Sequence, residues 1–355
     1  MSSLDELLQR AVEAGASDVH LKVGSPPGLR VGSELRRIDG MGVLRPEDTE
    51  GYARDLLGER TAVIFEREGE VDFAYGRPEL GRFRVSIFRQ RGSICLVLRR
   101  VTPGVPSLER LGVPQVVKRL AELPEGVVLV TGPSGSGKST TLAAMVEYLN
   151  GEFPVAITTV EDPIEVLFPD RKASVTQREV GVDTPSFADA IRRATRRDCD
   201  VLMVSEIADP DCAQAVVTAA ETGHLVLAAM HSSDPGDTLE SLVDLLGEPT
   251  AARKQLARTL KGVVSQRLVE GVDGPVLACE ILVMNDKAQE LVRTGAPGDA
   301  LLELMKEARF FGMTTFEQSL LDLVTSGRVS QEEALVHVRN PHEFKVGLMK
   351  AGVAV

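Results

Sequence analysis

The stretch Gly132-Pro133-Ser134-Gly135-Ser136-Gly137-Lys138-Ser139-Thr140 satisfies G-x-x-x-x-G-K-S/T at every fixed position. Glycines in such a loop let successive backbone N–H groups turn inward around nucleotide phosphates, at the positive end of a helix. Lys138 offers a cation to the terminal phosphates, and Ser139 offers a hydroxyl to Mg²⁺. Cleaving a phosphoanhydride needs more: a carboxylate to orient water, and positive charge on the transferring group. Three further apolar runs end in suitable residues. Val160 leads into Glu161-Asp162, Val204 into Ser205-Glu206, and Met230 into His231. Glu206 is the candidate to orient or deprotonate the attacking water. Glu161 is a candidate to hold the metal through water, with a turn role for Asp162-Pro163 as the competing reading. His231 is a candidate partner of the γ-phosphate. His224 follows Gly223, where capping or packing competes with a ligand role.

These groups need a scaffold that brings strand ends together. Val127-Val128-Leu129-Val130 reads as a buried parallel strand, and Leu142, Met145, Val146 and Leu149 recur at helical spacing after the lysine. Strands at 155–160, 201–204 and 225–229 alternate with helices, the pattern of an α/β domain around a parallel sheet. Thr184-Pro185 is expected to cap one helix and Asp209-Pro210 to open the next. In such sheets, functional groups gather beyond the C-terminal strand ends. From about residue 250 the chain is expected to be mainly helical, near 250–268, 285–293 and 314–325.

Residues 1–100 differ in character. A short amphipathic helix carrying Leu4, Leu7, Leu8 and Val12 is followed by alternating strands, with little further helix expected. In Arg82-Phe83-Arg84-Val85-Ser86-Ile87-Phe88-Arg89, Phe83, Val85 and Ile87 face a core, which leaves Arg82 and Arg84 on the opposite face. The proline- and glycine-bearing stretch 101–114, with Pro103, Gly104, Pro106 and Pro114, is the candidate linker to a second domain at 115–355.

A chain of 355 residues is long enough for two cores. Its net charge of −12 disfavours nucleic acid or anionic lipid as a bulk partner, and the absence of Trp weakens any base-stacking surface. No apolar run approaches the ~20 residues that span a bilayer. Cys95, Cys199, Cys212 and Cys279 are scattered without a C-x-x-C, so the expectation is buried thiols in a reducing cytoplasm.

Several segments together resemble the secretion ATPase superfamily, most closely its type IV pilus retraction branch. They are 132–145, Thr-Val-Glu-Asp-Pro-Ile-Glu at 159–165, Gln-Arg-Glu-Val at 177–180 and Ala-Ala-Glu-Thr-Gly-His-Leu-Val at 219–226. Gly-Ala-Ser-Asp-Val-His-Leu (15–21) and Arg-Phe-Arg-Val (82–85) are similar to that family's N-terminal domain. The resemblance implies a PAS-like α+β domain, a RecA-like P-loop ATPase domain, and a homohexameric ring with ATP bound between domains. It gives Glu161 to an acidic box, Glu206 to the Walker B carboxylate, and His224 and His231 to a histidine box. Arg82 and Arg84 become arginine fingers, with aggregation-resisting edge charges as the alternative.

The implied function is a cytoplasmic, Mg²⁺-dependent ATP hydrolase at the inner face of the inner membrane. It would power pilus retraction and twitching motility through a membrane-embedded platform protein. Ser205 and Ala208 depart from the family's Gly-Glu-Met-Arg-Asp segment, adding a side chain beside the carboxylate and removing a charge. They motivate the alternative of a weakly hydrolysing regulator acting on a paralogous pilus ATPase. A DNA translocase, which would share the core, is disfavoured by the acidic balance.

Overall fold

The computed structural model describes residues 4–32, 34–38, 40–77, 79–101, 104–338 and 340–353; Pro103 of the expected linker lies outside the described residues. The chain forms two units, one of residues 1–104 with 163–167, the other of 105–162 with 168–355.

The first unit runs α1 (Leu4–Glu13), β1 (Asp18–Lys22), β2 (Gly28–Val31), β3 (Glu34–Arg37), α2 (Pro46–Leu56), α3 (Glu59–Glu68), β4 (Glu70–Arg77), β5 (Gly81–Gln90) and β6 (Ser93–Arg100). The strands form an antiparallel sheet in the order β3-β2-β1-β6-β5-β4. Alternation sends Phe83, Val85, Ile87, Leu96 and Leu98 into one fully buried cluster with Leu7 and Leu8 of α1, and Tyr52 and Leu56 of α2. Each such side chain contributes roughly 1.5–3 kcal/mol by leaving water. Helices α2 and α3 correct the expectation of little helix here. Thr49, Tyr52, Ala53 and Leu56 are buried at helical spacing behind Pro46, and Gly69 at φ 81° closes α3.

The second unit continues with α4 (Gln115–Ala121), β7 (Gly126–Thr131), α5 (Lys138–Glu152), β8 (Ala156–Glu161), β9 (Ser174–Glu179), α6 (Phe187–Ala194) and β10 (Val201–Val204). Next come α7 (Pro210–Glu221), β11 (Leu225–Met230), α8 (Pro235–Leu246), α9 (Pro249–Thr259), β12 (Leu260–Val269) and β13 (Val276–Val283). Helices α10 (Asp286–Thr294), α11 (Gly298–Glu307), α12 (Phe316–Thr325), α13 (Gln331–His337) and α14 (Pro341–Lys350) complete it. The sheet order is β13-β12-β7-β11-β10-β8-β9, parallel except for β13 against β12.

Two expectations fail in this unit. The 250–268 segment is helical only to Thr259 and then becomes β12, with β13 following. Gly262-Val263-Val264 is a compact β-branched run buried on both faces, which periodicity alone does not separate from a buried helix. The cap of α6 is Ser186, whose side chain accepts from the Asp189 N–H, whereas Thr184 forms a bridge with Val180. As expected, Asp209 caps α7 by accepting from the Cys212 N–H.

Candidate functional site

Strand order dictates which side chains meet. The loop 132–137 follows β7, and β10 is not its neighbour, because β11 lies between them. The parallel registers pair Met230 with Thr131 and Val204 with Ala228, so all three strands end on the same edge. His231, one residue past β11, therefore stands between the loop lysine and the carboxylate that follows β10. Lys138 Nζ lies 3.3 Å from His231 Nδ1, and His231 Nε2 lies 3.5 Å from Glu206 Oε1. Lys138 also donates to the carbonyls of Gly132 (2.9 Å) and Pro133 (3.0 Å). Burial pushes the Lys138 ammonium below the ordinary lysine range, and Glu206 opposes that shift.

Glu161 is the last residue of β8, and its neighbour Val160 pairs with Val204. Its carboxylate is buried and accepts from Thr159 Oγ1 (2.6 Å) and Gln177 Nε2 (3.1 Å). It shares the edge with Glu206 but is held by its own sheet neighbours. His224 stands elsewhere. It precedes β11, whose first residue pairs with Gly126, so it sits at the opposite end of the strand from His231. At ~3.3 Å per residue that separation is about 20 Å. Its Nδ1 lies 3.0 Å from the Ala219 carbonyl and 3.2 Å from Thr222 Oγ1, closing the α7 turn. Capping is what this geometry gives His224, and the structure does not bring it to the loop. Arg82 and Arg84 belong to β5 of the first unit, alternating with buried Phe83 and Val85; Arg82 is half-buried and Arg84 exposed.

The loop itself is shaped by what lies beneath it. Gly132 has φ 143°, and a Cβ there would meet the Gln266 carbonyl oxygen at 2.3 Å. Gly137 opens α5 at φ 90°, followed by Lys138, Ser139 and Thr140 in the first helical turn. Under the loop lies a buried polar layer that sequence reasoning missed. Gln266 Nε2 donates to Thr141 Oγ1 (2.8 Å), and Thr131 Oγ1 lies 2.8 Å from Ser265 Oγ. Thr238 Oγ1 lies 2.6 Å from Ser232 Oγ and donates to the Asp234 carbonyl. A signal was available: Ser265-Gln266 are polar residues inside an otherwise apolar run, and buried polar pairs mark a specified position.

One ammonium, one imidazole and one carboxylate in a chain of contacts, beside a glycine-rich loop that opens helix α5, suit binding and in-line attack on a polyphosphate. Comparison with known proteins agrees. Residues 69–336 match the family described as type II/IV secretion system protein. The chain is 37% identical over 344 residues to the type IV pilus retractation ATPase PilT of Pseudomonas aeruginosa, covering 96% of this chain and 99% of that one. It is 35% identical over 352 residues to the type IV pilus ATPase PilU of the same organism, covering 98% and 91%. A crystal structure of the pilus retraction motor PilT with bound ADP is similar at a TM-score of 0.89 and 36% identity, covering 98% of this chain and 100% of that one.

Proposed function

The chain belongs to the type II/IV secretion system protein family, and from that premise we propose that this ATPase is a Mg²⁺-dependent motor powering type IV pilus retraction. The single observation that carries it is the Lys138–His231–Glu206 chain of contacts at 3.3 and 3.5 Å above the glycine loop. ATP binds through free backbone N–H groups of the loop, to which Pro133 contributes none, and through the Lys138 ammonium, which turns from its own loop carbonyls to the phosphates. Glu206 orients the attacking water, and His231, within 3.5 Å of both Lys138 and Glu206, reports whether the γ-phosphoryl group is present. Glu161, held by Thr159 and Gln177, ends its strand on the same edge and would help hold Mg²⁺ through water.

The donor set suits Mg²⁺. Among the described residues no group of three or more His, Cys, Asp or Glu could cage a metal, and Mg²⁺ takes few protein ligands when phosphates and water supply the rest. Ser139, exposed in the first turn of α5, is the hydroxyl that would hold it. When bound, Mg²⁺ neutralises charge on the β- and γ-phosphate oxygens.

In this proposal six copies form a ring, and Arg82 and Arg84 of one subunit supply guanidinium charge to its neighbour's phosphates. The segment 101–114 is the hinge between an N-terminal and an ATPase domain. The work is delivered to a pilus platform protein at the cytoplasmic face of the inner membrane. No helix among the described residues is long and apolar enough to cross a membrane.

A second function, regulation of a paralogous pilus ATPase with little turnover of its own, is favoured by Ser205 and by exposed Ala208 beside Glu206. Steady-state ATPase assay with oligomer mass tests both. Turnover by a ring-sized species, lowered at least ~10²-fold by Glu206→Gln with ADP binding retained, supports the motor. Negligible turnover in the unmodified ring supports the regulator.

A further inference from the structure

We propose that the N-terminal unit carries a second anion site, for a small phosphate-bearing molecule, in a cavity at one end of its sheet. The cavity is a cleft of about 490 Å³, open to solvent on one side, lined by Lys22, Ser25, Arg37, Arg91, Ser93 and Cys95, among others, all within residues 1–104. Three independent features point to its ligand.

The first is charge. The lining holds three cations and no carboxylate, in a chain with 52 acidic residues against 40 basic ones. Among the described residues, none of the three cations forms an ion pair. All three are exposed, so water screens their mutual repulsion, and what remains is a local excess of positive charge on an acidic chain, which draws an anion most strongly at low salt.

The second is orientation. Arg37 Nη1 donates to the Pro26 carbonyl at 3.0 Å and to the hydroxyl of buried Ser25. Neutral acceptors fix the planar fork without cancelling its charge, which is how a guanidinium is prepared for two phosphate oxygens.

The third is the turn that carries Arg91. Gln90 pairs with Ser93, so Arg91-Gly92 is a two-residue hairpin loop, with φ 51° and 79°. Such loops favour Asn, Asp or Gly at the first position, because both central residues are left-handed. Arginine is strained there, and the strain sits where its side chain supplies the third cation of the cavity. The size of the cleft and the acidic balance of the whole chain favour a small phosphate-bearing anion over an extended polyanion.

The test is equilibrium dialysis of the full chain, carrying Lys138→Ala to silence the loop at 132–140, against labelled inorganic pyrophosphate. One saturable site per chain is expected, weakened at least tenfold by Arg91→Asn and by Arg37→Gln. The same Arg91→Asn protein should melt higher than its parent, because asparagine relieves the turn; loss of binding then cannot be loss of fold. Arg36→Gln, which removes a charge from the same strand but one paired with Glu34, should leave binding unchanged. The proposal is overturned if saturable binding is absent or insensitive to Arg91→Asn. It is equally overturned if Arg36→Gln weakens binding as much, or if citrate binds as tightly as pyrophosphate.

Discussion

Replacing Gly132 by alanine tests how the phosphate loop is built. The new Cβ would lie 2.3 Å from the Gln266 carbonyl oxygen and 2.6 Å from Ser136 Oγ, inside the 3.0 Å limit below which something must shift. The serine can rotate, but the carbonyl belongs to β12, which pairs in register with β7 just beneath the loop. Overpacking of this kind costs about 1–3 kcal/mol, and an L-residue at φ 143° adds about 1–3 more. A total of about 2–6 kcal/mol is a large share of the 5–15 kcal/mol that holds a typical domain. Gly135→Ala is the control. It lies at a free position of the motif, has φ 80° and has nothing within 4 Å of its Cβ, so alanine there carries only the local strain of a left-handed L-residue, about 1–2 kcal/mol. Whether the clash loosens the fold or displaces the loop, the two losses should sum to the same total. Thermal unfolding and calorimetric ADP titration of both variants measure them. At ~2–4 °C per kcal/mol, Gly132→Ala should melt several degrees lower, or bind ADP some ten- to hundredfold more weakly, than Gly135→Ala. Equal behaviour of the two variants in both assays would refute this account of the loop.

Lys138 titrates below the ordinary lysine range because burial disfavours its ammonium, with Glu206 opposing; ADP affinity should therefore fall as pH rises through that lowered pKa, and the profile should flatten in Lys138→Arg. Stability moves the other way, rising with pH from the lowered pKa to 10.5, since there the unfolded lysine binds more protons. For Asp18, burial pushes the carboxyl up but is outweighed by hydrogen bonds from Arg99 and Ser17, so its pKa lies below the ordinary value of 3.8. Its contribution is present above pH 3.8 and lost as pH falls through the folded value. Asp18→Asn should accordingly cost about 1–2 kcal/mol at neutral pH, discounted for the exposure of Arg99, with the gap closing in acid unfolding. Gln266→Leu should cost about 1–3 kcal/mol in urea unfolding by stranding Thr141, and adding Thr141→Val should recover part of the loss.

The parts legible in the sequence were those with short-range causes. The glycine loop, its strand and its helix follow from local spacing, as does the cap at Asp209. The convergence of Glu206 and His231 on one edge followed from apolar runs ending in polar residues. Part of what escaped was set by partners far along the chain, and part was a local signal left unread. The β12–β13 hairpin is buried on both faces and has no period to read, while α2 was passed over although its buried residues fall at helical spacing. His224 shows the limit of motif reasoning. It belongs to the same segment as His231, yet six strand residues separate the two, and a parallel strand exposes only its C-terminal end to the loop. Strand order, invisible locally, decided which histidine meets the lysine.

The strand that wedges Gly132 is also where the C-terminal helices are fastened. Val269 of β12 and Val276 and Ala278 of β13 share one apolar cluster with Phe316, Leu320, Phe344 and Leu348 of α12 and α14. In the proposed motor, a displacement of that distal helical group would reach the floor of the glycine loop through the β13–β12–β7 ladder of backbone bonds rather than through any side chain that handles substrate.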